Sequence, residues 1–233
     1  MEDQSRWGAM AGALAFQARH FAIIKAARVE AGMRVLDVAT GRGEVAILAA
    51  QAGAAVHATD IHLSLVQTAE RNASRAGVEI STSVADMRDL CAIKDRYDRV
   101  LGCAALHHLD QVGAREAVAS AVHLLAPGGR ALFLEPIANI PWFEAIKCAF
   151  PGPKNRPSNL NRPAWTRWLE ERDDRSMSDA ELLGAWRNAR IVGRLGLLVR
   201  IKRTPQIERL DSSLLRCRPL HRFAQAAIVE YSV

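Results

Sequence analysis

Apolar residues along the first 135 positions fall into two kinds of block, and the blocks alternate. Short apolar or β-branched runs at 34–39, 55–59, 79–84, 97–103 and 130–135 predict strands, most of them closed by a glycine, an acid or a proline. Between them, the stretches Glu44–Ala52, Leu63–Ala76 and Val112–Leu125 space their apolar residues as helices do. Gly53, Gly77 and the run Ala126-Pro127-Gly128-Gly129 stop those helices. Strands alternating with helices of this length predict βαβ units and a parallel sheet buried on both faces. Upstream, Ser5–Val29 spaces Trp7, Met10, Leu14, Phe16, Phe21, Ile24 and Ala27 at helical intervals, which predicts one or two amphipathic helices ahead of the sheet.

The rhythm breaks after Glu135. Five prolines (Pro136, Pro141, Pro151, Pro153 and Pro157), and then Pro163, interrupt any long element, while Trp142, Phe143, Phe150, Trp165 and Trp168 supply anchors. So many large aromatics predict a cap inserted after the fifth strand rather than a linker. Ser178-x-x-Glu181 has the form of a capping box and predicts a helix reaching about Ala189. Ile191–Ile201 and Phe223–Val233 read as the last two strands.

Composition narrows the setting. The 233 residues are 49% hydrophobic and 24% charged, ordinary for a folded domain. No apolar run reaches the length of a membrane span, and Met1–Gly8 lacks the basic and apolar regions of a secretory leader. Cys91, Cys103, Cys148 and Cys217 are scattered without a C-x-x-C, which predicts neither a zinc site nor a disulfide framework. A reduced, cytoplasmic protein is expected. Residues 1–135 hold 14 Lys/Arg against 15 Asp/Glu, whereas residues 136–233 hold 17 against 10. The basic excess of the second part suits an anionic small substrate, an acidic partner or nucleic acid, or simply a solvated surface.

Gly41-Arg42-Gly43-Glu44-Val45-Ala46 fits G-x-G-x-x-A, and Asp60 ends the following strand. Glycines admit a ligand close to the backbone, and an acid at the tip of the second strand grips ribose hydroxyls. By spacing alone this serves a dinucleotide or any other adenosine-bearing cofactor.

Further residues separate those readings. The run Val35-Leu36-Asp37-Val38-Ala39-Thr40-Gly41-Arg42-Gly43 resembles motif I of class I S-adenosylmethionine-dependent methyltransferases. Val84-Ala85-Asp86-Met87 resembles the family's third-strand tip. Tyr97-Asp98-Arg99-Val100, Leu106-His107-His108-Leu109 and Leu124-Leu125-Ala126-Pro127-Gly128-Gly129 resemble its fourth- and fifth-strand segments. Many members carry glycine where this chain has Ala39, although alanine also occurs there. The resemblance covers residues 30–135 and implies a seven-stranded, mostly parallel Rossmann-like α/β sheet with the last strand antiparallel and helices on both faces. It divides a single domain into a helical lid (1–29), a cofactor-binding core (30–135), a cap (136–177) and a C-terminal helix with strands (178–233).

The resemblance also implies roles. S-adenosylmethionine would lie against Asp37, Ala39, Gly41, Gly43, Asp60, Ile61, Asp86, Met87 and Cys103. Asp37 would supply negative charge near the ammonium group, Asp86 would accept from the adenine amine, and Met87 would pack on the ring. A histidine suits the proton removal that a hydroxyl acceptor needs, because its ordinary pKa of about 6.5 lies near neutrality. His107 and His108 follow the carboxyl end of the fourth strand, where open α/β sheets place ligands. The pair resembles that of small-molecule O-methyltransferases of natural-product biosynthesis, including those acting on sugars. Glu135, at the end of the fifth strand, is placed to orient one imidazole; the sequence does not choose between the histidines.

His20 is a third candidate base and, with Trp7, Phe16, Trp142 and Arg156, a candidate substrate contact. Phe143, Trp165 and Arg162 are placed to line the same pocket, and His57, His62, His123 and His221 read as structural or exposed. The metal-dependent branch of the family uses clustered acids beyond the fourth strand, where this chain has Cys103–Asp110, so no metal is expected. A nucleic-acid substrate is disfavoured, because no N/D-P-P-Y/F/W tetrad, catalytic cysteine motif or appended RNA-binding domain is found. The function read here is methyl transfer to a small-molecule hydroxyl by a monomer or homodimer. N- or C-methylation and a non-methylating cofactor-binding scaffold are the alternatives.

Overall fold

The structure, a computed structural model, describes residues 18–137, 176–196, 210, 213–214 and 217–233. Trp7, Phe16, Trp142, Phe143, Arg156, Arg162 and Trp165, with most of the lid and cap, lie outside the described residues.

The described elements run in the order α1 (Ala18–Ala27), β1 (Arg34–Val38), α2 (Glu44–Gln51), β2 (Ala55–Asp60), α3 (Leu63–Arg75), β3 (Ser81–Val84), β4 (Tyr97–Cys103), α4 (Gln111–His123), β5 (Leu125–Pro136), α5 (Asp179–Gly184), β6 (Arg190–Leu195) and β7 (Ala226–Tyr231). The strands form one seven-stranded sheet in the order β3-β2-β1-β4-β5-β7-β6. β1 to β5 pair in parallel, while β7 runs antiparallel to both β5 and β6. This is the expected α/β sheet with its antiparallel last strand.

Burial on both faces explains why the central strands read as apolar runs. Val35, Val56, Ala58, Leu101, Leu132 and Leu134 pack with Ile23 and Ala27 of α1 and with Val45, Ala46 and Ala49 of α2. Leu36, Val38, Val100, Ala131 and Phe133 pack on the opposite face with Ala117, Val118, Ala121 and Val122 of α4 and Leu182 of α5. Phe133 is fully buried and meets Tyr231 edge-on at 5.9 Å. Its ring also fills the space over Gly102, where an added Cβ would come within 2.5 Å of it.

Several boundaries differ from the sequence reading: β3 begins at Ser81, β6 ends at Leu195, β7 begins at Ala226, and two further differences have a clear cause. β5 starts at Leu125, not Arg130, because Tyr97 pairs with Leu125 and Arg99 with Arg130, so residues 126–129 bulge out of the ladder. Tertiary pairing here overrides a run that reads as a turn. The helix begun by the Ser178–Glu181 capping box is real but ends at Gly184 instead of running on to Ala189. Glycine weakens the helix there, and the Trp186 indole leaves it to donate to the Ser232 carbonyl at 2.9 Å.

α1 runs antiparallel to the central strands. Near its carboxyl end, the Ala27 carbonyl accepts from Arg99 Nε in the amino half of β4. Farther toward its amino end, Ile23 packs in one cluster with Leu134 and Cys103, near the carboxyl ends of β5 and β4. The amino half of α1 therefore faces the strand ends that carry the candidate site.

Candidate functional site

The turn after β1 is built around two buried carboxylates. Asp37 Oδ2 accepts from Thr40 Oγ1 at 2.6 Å and from the Ala46 amide in the first turn of α2 at 3.1 Å. One acid thus ties strand, turn and helix together. Burial pushes its carboxyl up to about 7, Glu44 and Asp60 add to the rise, and its two hydrogen bonds oppose it. Asp60 Oδ2 accepts from the Gly41 amide and Oδ1 from the His62 amide, both at 3.0 Å, so the acid is fixed at the tip of β2.

The glycine turn itself shows why these residue types stand here. Gly43 has φ 89, and a Cβ on it would lie 3.1 Å from Ala69 of α3. Nothing stands within 4 Å of where a Gly41 Cβ would be, so the backbone is bare on that side. Ala39 adopts φ 53, a left-handed conformation that glycine adopts more cheaply, which accounts for glycine in many family members there. Asn72 of α3 braces the turn by donating to the Arg42 carbonyl at 2.9 Å.

The next two strand ends complete one wall. The Ala85 amide donates to the Asp60 carbonyl at 3.0 Å and brings Asp86 and Met87 beside the tip of β2. Ile61, just past Asp60, is exposed, whereas Met87 packs against the core. Asp86 is half-exposed and chelated by Arg88, a partner the sequence reading did not single out although the two are only two residues apart.

The opposite wall is a histidine–glutamate pair. Glu135 is fully buried near the end of β5 and accepts from four donors. Oε1 takes the Ala105 and Leu106 amides, both at 2.9 Å. Oε2 takes the His107 amide at 3.3 Å and His107 Nδ1 at 2.8 Å. A carboxylate receiving four donors can only accept, so His107 carries its proton on Nδ1 and a lone pair on Nε2 when neutral. The same acid fixes the backbone that carries the imidazole, in a short 3₁₀ turn at Leu106–His108. His107 is buried, His108 is exposed, and their rings lie 4.0 Å apart.

His20 is a different kind of group. It is buried on α1, and its Nε2 accepts from Arg19 Nε at 3.2 Å. Burial, with Arg19 adding, lowers its pKa to about 4, so it is a poor base near neutrality. Cys103 ends β4 half-buried, its thiol pushed up to about 12 chiefly by burial. His57 lies within the sheet, bonded at 2.8 Å to both Tyr97 Oη and Ser83 Oγ, and so has a structural role. Among the described residues, no group of three or more His, Cys, Asp or Glu could hold a metal ion. None of their helices is long and apolar enough to cross a membrane.

A parallel sheet that changes strand direction of progression beside a glycine turn, with an acid on the adjacent strand tip, is the frame of a protein that holds a nucleoside-bearing cofactor. Comparison with known proteins shows what that frame is similar to. Residues 35–129 match the methyltransferase domain family. The chain is 37% identical over 118 residues to a ubiquinone biosynthesis O-methyltransferase of Xanthomonas axonopodis pv. citri, covering 49% of this chain and 48% of the relative. It is 35% identical over 115 residues to the ubiquinone/menaquinone biosynthesis C-methyltransferase UbiE of Bordetella parapertussis, covering 47% and 43%. Magnesium protoporphyrin IX methyltransferase from Synechocystis PCC 6803, solved with S-adenosylhomocysteine, shares the fold with a TM-score of 0.59 and 18% identity over 97% of this chain and 91% of that one. The chain spans about half or less of the length of the curated relatives it matches. The likeness to class I S-adenosylmethionine-dependent methyltransferases lies in residues 35–129 and in the shared fold. The residues present fit that cofactor, since the bare glycine turn and the fixed Asp60 carboxylate offer what an adenosine needs.

Proposed function

We propose that the chain methylates a hydroxyl oxygen of a small organic acceptor, with His107 as general base. The Glu135–His107 contact at 2.8 Å carries this reading. Bound S-adenosylmethionine supplies a methyl carbon activated by its sulfonium. Asp60 would hold the ribose, Asp37 would offer charge toward the ammonium group, and Asp86 with Met87 would take the adenine. His107 Nε2 accepts the hydroxyl proton as the oxygen attacks, and Glu135 stabilises the resulting imidazolium through Nδ1. Methyl ether, S-adenosylhomocysteine and one proton account for all atoms.

The Xanthomonas relative is named an O-methyltransferase, in line with this reading. The Bordetella relative is named a C-methyltransferase, so an acceptor carbon is the competing reading. Replacing His107, His108 and both by alanine separates the two. For a hydroxyl acceptor, His107→Ala lowers turnover by about 10²- to 10⁴-fold, leaves cofactor affinity intact and regains activity as pH rises. Near-normal turnover in the double variant across pH would remove the base and favour carbon.

A further inference from the structure

We propose that Arg88 is a positioning residue that aims the Asp86 carboxylate at the six-amino edge of the cofactor's adenine. This rests on Asp86 being the adenine acceptor. Arg88 Nε lies 3.1 Å from Oδ1 and 3.0 Å from Oδ2, Nη2 lies 2.5 Å from Oδ2, and the Arg88 amide donates to Oδ1 at 2.9 Å. An acid in a loop otherwise rotates freely about its side-chain bonds. Clamped along one edge, its carboxylate is fixed in one plane with its remaining lone pairs on the side away from the guanidinium.

Arg88 is itself held against α4. Its carbonyl accepts from Ser120 Oγ at 2.7 Å, and its Cδ lies 3.4 Å from where a Cβ on Gly113 would stand, so the missing side chain leaves room for the arginine stem. Glu116 of α4 and Asp110, the residue that caps its amino end, add negative charge that favours the charged guanidinium. The same clamp keeps the Asp86 carboxyl below the usual carboxylate range.

The probes are S-adenosylhomocysteine and S-inosylhomocysteine, which replaces the six-amino group by an oxo group, each titrated calorimetrically. Wild type prefers the adenosyl compound, and Asp86→Asn abolishes that preference. Arg88→Ala reduces the preference about threefold, the order of an exposed ion pair, leaves inosyl affinity unchanged, and is partly rescued by Arg88→Lys. If Asp86→Asn keeps the preference, the adenine reading of Asp86 fails and the proposal falls with it. If only Asp86→Asn changes the preference, or Arg88→Ala weakens both ligands equally or tightens the adenosyl compound, Arg88 does not position the acid.

Discussion

Replacing Glu135 by glutamine removes no atom from the core, yet it changes what the site can do. The acid accepts two amides on Oε1, and an amide and His107 Nδ1 on Oε2. A glutamine carbonyl serves one of those pairs and presents N–H groups to the other. If the carbonyl keeps Ala105 and Leu106, the side-chain amide must donate to His107 Nδ1, which moves the imidazole proton to Nε2. The base then has no lone pair toward the acceptor, and turnover falls by about 10²- to 10⁴-fold, as when a catalytic histidine is held in the wrong tautomer. The His107 backbone amide also loses its acceptor in a buried setting, at a cost of about 1–3 kcal/mol in stability. Long-range proton–nitrogen NMR of the histidine side chains reads the tautomer without any acceptor, and urea unfolding reads the stability. An unchanged Nδ1–H tautomer, with stability within about 0.5 kcal/mol of wild type, would falsify the assignment of Glu135 as director of His107.

Other perturbations reach other parts of the account. Asp60→Ala should weaken S-adenosylmethionine binding by about 1–3 kcal/mol in calorimetry, and an unchanged affinity in a folded variant removes the ribose assignment. Asp37 has a folded-state pKa raised from 3.8 to about 7, so the wild-type fold is penalised progressively above pH 4 and fully above pH 7. Asp37→Asn should therefore be more stable than wild type at pH 8, by on the order of 2–4 kcal/mol, and lose this advantage toward pH 4 while binding cofactor less well. A pH-independent difference contradicts this. Gly102→Ala drives a methyl group into the buried Phe133 ring and should cost about 1–3 kcal/mol in thermal or urea unfolding, whereas a neutral effect means that β4 and β5 are less closely packed than described.

The sheet was legible because its central strands are buried on both faces and separated by helices whose ends carry glycine. The glycine turn and the acid on the second strand tip were legible because their spacing is local. What escaped the sequence depends on contacts across the chain. Nothing near Ala105, Leu106 and His107 announces that all three amides end on Glu135, about thirty positions away. Likewise, the Pro127-Gly128-Gly129 turn reads as an ordinary helix stop until Tyr97 pairs with Leu125 and makes it a bulge within β5. Arg88 could have been found, since an arginine two residues after a candidate adenine acid can fold back on it. The packing of Ile23 with Cys103 could not, because only the antiparallel course of α1 brings the two together.

The most direct test gives the chain S-adenosylmethionine carrying a deuterated methyl group, together with a metabolite extract rich in hydroxylated small molecules. Mass spectrometry then follows the label. Labelled methyl is expected on the oxygen of one acceptor, in step with S-adenosylhomocysteine release, with transfer by the His107→Ala and His108→Ala double variant lowered by about 10²-fold or more at neutral pH. Label on carbon or nitrogen contradicts the hydroxyl reading. Cofactor binding with no transfer to any acceptor contradicts the enzyme reading, and binding of a nicotinamide dinucleotide in place of the methyl donor contradicts the site assignment as a whole.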